Sequence, residues 1–261
     1  MGVFDVVFTS SVRQTVLGQL SDRPRQRRDL LDDVDASKSA VYNALNELRD
    51  RDLVREGQSR RWETTGLGDL VADYVAQRER AGDVLSTQAA YWTTYDAGAL
   101  PDPFRESLGS LAGCERLSSP EAEPFRAVSE VVDVIEGAET VSIVAPMYHD
   151  RYAAALECAA VDADVRLVLG QSVLRNVAER EDADWDEDNP EVRIGTPAFT
   201  LVVTESTLVL ALPREDGTFD IEGKLVANGD RALEWGERLF EHVWRESTPL
   251  AAFEAEAQAP Q

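Results

Sequence analysis

The chain has 261 residues, 43% of them hydrophobic, with 26 basic and 49 acidic side chains and a formal net charge of −23 at pH 7. That is apolar material for two modest domains and excludes a disordered chain. No apolar run approaches the roughly 18 residues of a membrane span, and the N-terminus does not read as a signal peptide.

The two cysteines, Cys114 and Cys158, form no C-x-x-C pair and sit in small, apolar surroundings. They read as reduced core cysteines of a cytoplasmic protein. The charge is unevenly spread. Residues 1–64 hold eleven basic and eleven acidic side chains, so the remaining 15 basic and 38 acidic ones carry the whole excess. The chain is thus polarised, with its relatively basic end first. Lys38 and Lys224 are its only lysines. Abundant Asp and Glu with little Lys suggests a halophilic cytoplasm holding molar salt, where the Debye length is about 3 Å. An acidic interaction surface is the alternative explanation.

Residues 1–9 are an apolar lead-in. Ser10 or Ser11 caps a first helix whose apolar face is Val12, Val16, Leu17 and Leu20. After the turn at Asp22-Arg23-Pro24, residues 25–34 make a second helix, with Leu30, Leu31 and Val34 inward and Arg25, Arg27 and Arg28 outward. Those arginines serve either as DNA-backbone contacts or as a solvated face. Ser37 caps a third helix. Val41, Ala44, Leu45 and Leu48 recur at i, i+3, i+4 and i+7, one buried face. Its other face presents Lys38, Ser39, Tyr42, Asn43, Asn46 and Arg49. Short hydrogen-bonding groups, an aromatic and cations are what base-edge reading in a major groove requires. Residues 53–56 and 61–64 form two short strands around Gly57-Gln58-Ser59, with Arg60 and Arg61 where such a wing meets phosphates. Three helices and a ribbon at this spacing predict a winged helix-turn-helix. Thr64 or Thr65 then caps a helix over 67–82 with the stripe Leu67, Leu70, Val71, Tyr74 and Val75. That stripe pairs two copies across a two-fold axis or packs within its own chain.

Residues 83–124 read as a helical connector, ending in the Ser- and Pro-rich run 118–124. A helix from Phe125, a strand over 140–145, a helix over 150–160 and a strand over 164–169 predict a right-handed βαβ unit. A helix over 172–180 follows. The acidic run 181–188 is a solvated loop rather than a calcium site, lacking the glycine turn. Further strands are expected at 191–194, 199–203, 208–212 and 218–226, and a last amphipathic helix at 231–246. The tail 251–261 reads as frayed. The expected fold class is α+β to α/β: an N-terminal winged helix-turn-helix over 1–82 and a C-terminal mixed-sheet α/β domain over 125–250.

Chemistry is sparse. The best candidate is the run 147–152, just past the end of the first strand of the βαβ unit, where open α/β sheets bind ligands. The phosphodiesterase pattern His-x-Lys-x4-Asp fails there, with Arg151 at the Lys place and Leu156 at the Asp place. Neither a phosphate-cradling loop nor a metal-ligand cluster is found, so no catalytic residue, metal or cofactor is expected. A sensing pocket at this edge is the preferred reading, lined by Tyr148, His149, Arg151, Arg166, Arg193 and Trp235.

The run 30–34 (LLDDV) through Leu53-Val54, the wing 61–64 with Thr65-Gly66-Leu67-Gly68, the opening 125–128 (FRAV) and the closing helix with 245–250 (RESTPL) together resemble a known family. They look like archaeal winged-helix transcriptional regulators, common in haloarchaea, that carry a C-terminal α/β sensor domain of the methanogenesis-regulator type. The resemblance implies promoter binding to double-stranded DNA, usually as a homodimer, and leaves the effector unnamed. No signature of the related sugar-sensing regulators is found. The competing expectations are a winged helix used for protein contact in a larger assembly, and an α/β hydrolase or phosphodiesterase with an accessory domain.

Overall fold

The computed structural model describes residues 2–120, 122–178, 190–220 and 223–257. The acidic run 181–188 lies outside the described residues. Contacts divide the chain into two units, Met1–Gly82 and Asp83–Gln261.

In the first unit the apolar lead-in is itself a helix, α1 (Val3–Phe8), followed by α2 (Ser11–Asp22). The Ser10 side chain caps α2 by accepting the Arg13 N–H. The second predicted helix is shorter than its pattern. Arg25 and Gln26 form a two-residue strand, β1, before α3 (Arg27–Asp33). Pro24 fixes an extended entry, and β1 gains ladder bonds by pairing Arg25 with Trp62 and Gln26 with Arg61. Arg25 is therefore not an outward helical arginine; it is half-buried and paired with Asp33. Ser37 Oγ accepts the Ala40 N–H at 3.2 Å and starts α4 (Lys38–Arg49). The wing strands are β2 (Val54–Glu56) and β3 (Arg61–Thr64), giving a three-stranded sheet in the order β1-β3-β2. Val16, Leu17, Leu20, Leu30, Val41, Leu45, Leu48, Leu53 and Trp62 close one core.

The helix after the wing, α5 (Gly66–Thr87), is fixed at its start by two residues. Thr65 Oγ1 accepts the Gly68 N–H at 3.1 Å and donates to the Asp52 carbonyl at 2.5 Å. A Cβ on Gly68 would lie 1.9 Å from the Leu53 carbonyl oxygen. The threonine-x-x-glycine run thus has a physical cause: the helix starts against the backbone that opens β2.

In the second unit, α6 (Ala89–Trp92), α7 (Asp102–Glu106) and β4 (Glu115–Leu117) precede α8 (Arg126–Glu136). Residues 83–124, expected as a connector, put Val84, Tyr91, Tyr95, Leu100, Phe104 and Leu111 into this unit's core. Then come β5 (Thr140–Ala145), α9 (Asp150–Ala159), β6 (Asp164–Gly170), α10 (Gln171–Ala178), β7 (Glu191–Gly195), β8 (Thr200–Thr204), β9 (Leu208–Ala211), β10 (Lys224–Ala227), α11 (Asp230–Glu246), β11 (Thr248–Pro249) and α12 (Leu250–Ala257). The expected strand over 218–226 is confined to β10. The tail is helical as far as Ala257, with Phe253 against the core.

One eight-stranded sheet runs β11-β7-β6-β5-β8-β9-β10-β4. β5, β6 and β7 are parallel and the other pairings antiparallel. Both faces are covered, so the strands read as continuous apolar runs. The alternation is nonetheless strict. Ile143, Leu167, Val202 and Val209 pack on the face of α8 and α9. Val144, Val168, Leu201, Leu208 and Leu210 pack on the face of Trp235, Leu239 and Phe240 of α11. Cys114 is buried, which raises its thiol to about 11, whereas Cys158 is exposed on α9 and is not the core residue the sequence suggested.

Candidate functional site

The exposed face of α4 carries Lys38, Ser39, Tyr42, Asn43, Asn46 and Arg49, while Val41, Ala44, Leu45 and Leu48 are buried beneath it. The helical period places the two sets on opposite sides. Tyr42 is 40% exposed. Arg49 leans on Asp50 at 3.1 Å and Arg28 on Asp29 at 3.4 Å, both exposed pairs. Such pairs contribute about 1 kcal/mol or less and leave the cations available. Among the described residues, Lys38, Arg60 and Arg61 have no ion-pair partner and all three are exposed.

The wing tip is a tight turn at Gln58–Arg60, with Ser59 and Arg60 at φ of 61° and 58°. Left-handed backbone at two successive residues turns the chain sharply, which puts Arg60 at the tip. Arg55 pairs with Glu63 across the ribbon at 2.8 Å.

Arg27 is placed differently from Arg28. Its guanidinium lies 5.1 Å from the Tyr42 ring centre and 5.5 Å from that of Trp62. Its Nε is buried without a hydrogen-bond partner. A cation between two aromatic faces ties α4 to β3. Arg27 therefore holds α4 against the wing, a role its place in the sequence did not reveal.

In the second unit a cavity of about 140 Å³ opens between the sheet and α9, at the carboxyl ends of β5 and β6. Tyr148 and His149 line it. The other four expected lining residues do not. Arg166 and Arg193 point to the opposite face of the sheet. Arg166 pairs there with Glu241 at 2.6 Å and stacks on Phe240. Arg193 stacks on Trp244. Trp235 is fully buried in that same core. One residue of register decides this, since Leu167 and Leu169 line the cavity and Arg166 alternates with them. Arg151 is exposed and donates to Ser129 Oγ.

Sequence reasoning put Tyr152 in the candidate run 147–152 but not among the lining residues, and it missed Asp220 and Lys224; all three line the cavity. His149 stacks on Tyr152 with ring centres 4.3 Å apart. Burial, and then the Lys224 charge, lower the His149 pKa from its ordinary value. Burial pushes the Tyr152 hydroxyl up to about 12. Among the described residues no cluster of His, Cys, Asp and Glu could hold a metal ion, and no helix is long and apolar enough to cross a membrane.

Residues 124–246 match the family model described as methanogenesis regulatory protein FilR1, middle domain. Residues 4–83 match the one described as HVO_A0261 N-terminal domain. The two matches fall on separate parts of the chain and each is a similarity over less than half of it. Its likeness is to archaeal transcriptional regulators, as the sequence resemblance implied. The curated methanogenesis regulatory protein FilR1 of Methanothrix harundinacea (strain 6Ac) is 21% identical over 276 residues. The match takes in 97% of this chain and 62% of that protein, so the chain spans less than two thirds of its FilR1 relative.

Among solved structures, the archaeal chromatin protein TrmBL2 aligns at TM-score 0.39 and 10% identity over 95% of this chain and 97% of its own. Lactococcus lactis ZitR aligns at 0.28 and 18% over 37% and 64%. A phospholipase D family member, Nuc from Salmonella typhimurium, aligns at 0.39 and 13% over 52% and 97%. At these scores the three carry no argument.

Proposed function

We propose that the chain is a DNA-binding transcriptional regulator of the cytoplasm that acts as a homodimer and answers to a small molecule held in its second unit. The observation that carries this reading is the division of α4. One face is wholly buried, and the other offers Ser39, Tyr42, Asn43 and Asn46 between Lys38 and Arg49. Beside it a ribbon presents Arg60 and Arg61. In this reading the polar residues of α4 meet base edges, while Lys38, Arg28, Arg49, Arg60 and Arg61 meet phosphates. Arg27 holds Tyr42 in place. Residues 1–82 form the reader. Residues 83–250 form the sensor, with 83–124 built into it. The name of the FilR1 relative supports a regulatory role.

Pairing is assigned to the first unit's exposed apolar residues Phe4, Leu67, Leu70 and Tyr74. Two copies joined there would match a palindromic site. The cavity is read as a binding site rather than a catalytic one. Among the described residues His149 Nδ1 is buried without a hydrogen-bond partner, so none of them sets its tautomer for base catalysis.

The test is an electrophoretic mobility shift with the DNA upstream of the protein's own coding region, in molar potassium chloride. A discrete complex that survives an excess of unrelated DNA is expected. Equal retardation of any DNA, or none, removes the reading.

A further inference from the structure

The cavity of the second unit is walled by aliphatic groups, Ile143, Leu156, Leu167, Leu169 and Val202, and by the rings of Tyr152, His149 and Phe219. Three charged residues also line it, Glu157, Asp220 and Lys224. Lys224 is only 5% exposed, and both it and Asp220 are engaged by neighbouring groups. Asp220 accepts hydrogen bonds from the Tyr95 hydroxyl at 2.7 Å, from Arg214 at 2.5 Å and from the Gly223 N–H at 2.5 Å. Glu157 is exposed on α9 and keeps its water. The lining thus holds charges of both signs, and its buried ones are already met. An ion entering here would lose its hydration without gaining a free counter-charge, which disfavours charged ligands of either sign.

Two neutral groups of the lining are placed differently. Tyr152 Oη and His149 Nδ1 are buried, and neither has a hydrogen-bond partner among the described residues. The two rings stack with centres 4.3 Å apart, so both atoms belong to one wall. Buried polar atoms are rarely left unsatisfied, and each exception calls for an explanation. Burial, and then the Lys224 charge, keep His149 neutral at pH 7. A phenolic O–H can donate, and a neutral imidazole nitrogen can accept. One hydroxyl group satisfies both, accepting from Tyr152 and donating to His149.

Size narrows the class further. An apolar cavity of roughly 150 Å³ takes a benzene ring, and this one is about 140 Å³. We infer that the cavity binds a neutral single-ring alcohol or phenol, its ring among the aliphatic walls and its hydroxyl on Tyr152 and His149. This names the effector class for the sensor reading above and rests on that reading. It is tested without DNA, so a promoter complex beside a failed titration removes the ligand class and leaves the regulator.

The experiment is calorimetric titration of the full chain, at pH 7 and one fixed salt concentration, with phenol, benzene, sodium benzoate and benzylamine hydrochloride. Benzene keeps the ring without the hydroxyl; benzoate and benzylammonium keep the ring and add a charge of either sign. Phenol should bind at least about tenfold tighter than each of the other three, a single-decade preference. Tyr152→Phe and His149→Phe both keep a ring and remove the polar atom. Each should weaken phenol several-fold and leave benzene unchanged, and retained benzene binding also shows that the variant is folded. If neither variant folds, the ranking on the wild-type chain decides. The inference is overturned by phenol showing no saturable binding at about 10 mM, far into the weak range. It is equally overturned by benzoate or benzylammonium binding as tightly as phenol, by benzene doing so, or by both variants leaving phenol unchanged.

Discussion

At the scale of single residues, the clearest constraint is Gly68. A Cβ there would meet the Leu53 carbonyl oxygen at 1.9 Å, so backbone must move to admit it. Gly68→Ala should cost about 1–3 kcal/mol, as overpacking does. Thr65→Ala, which removes the cap beside it, should cost about 1 kcal/mol. Urea denaturation followed by circular dichroism measures both. His149 gives a pH prediction. Its folded pKa is depressed, so the unfolded chain binds the proton more readily. The stability it contributes is full above the ordinary value of 6.5 and is lost as pH falls from there toward the folded value. Melting temperatures between pH 7 and 5 should therefore fall less steeply in His149→Gln than in the wild type; identical profiles would show that burial of this ring is not felt. Individual site residues were unevenly legible. Tyr148 and His149 follow the end of a parallel strand, and that position alone marks a ligand edge. Arg166 and Arg193 were assigned by their charge, but the two-residue period sends them across the sheet. Tyr152 closes the candidate run 147–152, whereas Lys224 reaches the cavity from a separate strand, and only the scarcity of lysine hinted at it.

Among the elements, long periodic segments and the wing ribbon were readable, and the other very short strands were not. The apolar periods of α4 and α11 extend over several turns, so the sequence alone sets their faces. β1, β4 and β11 have two or three residues each. No period exists over that length, and their strand character comes from a neighbour's ladder bonds. The expected connector became core for a related reason: its aromatics are spaced irregularly and find their partners only in three dimensions. The wing and α4 yield opposite predictions for DNA. Arg60→Ala should weaken every sequence alike and lower the slope of log K against log salt by about 0.9, one phosphate contact. Tyr42→Ala should relax sequence preference with less change in that slope. Arg27→Ala, which frees Tyr42 from its cation, should resemble Tyr42→Ala. Leu70→Glu on α5 places a charge in the apolar patch and should shift the protein from dimer to monomer in analytical ultracentrifugation. An unchanged mass there would assign the patch to another partner.

For the molecule as a whole, charge and layout belong together. The neutral first 64 residues precede a body that carries the entire −23. In dilute salt that body repels a polyanion; near molar salt, screening confines the effect to a few ångströms. Phosphate contacts weaken under the same screening, so affinity must lean on the hydrogen bonds and shape of α4. Association should therefore survive high salt better than that of a reader relying on charge alone. The most direct measurement of the central claim is fluorescence anisotropy of the full chain on its own upstream DNA in molar potassium chloride, beside a shuffled duplex of equal composition. The wild type should prefer the native duplex by at least about tenfold, roughly 1.4 kcal/mol, and the double variant N43A/N46A should lose that preference. Equal affinity for both duplexes in the wild type, or a preference untouched by the double variant, would contradict the assignment of α4 as the reader.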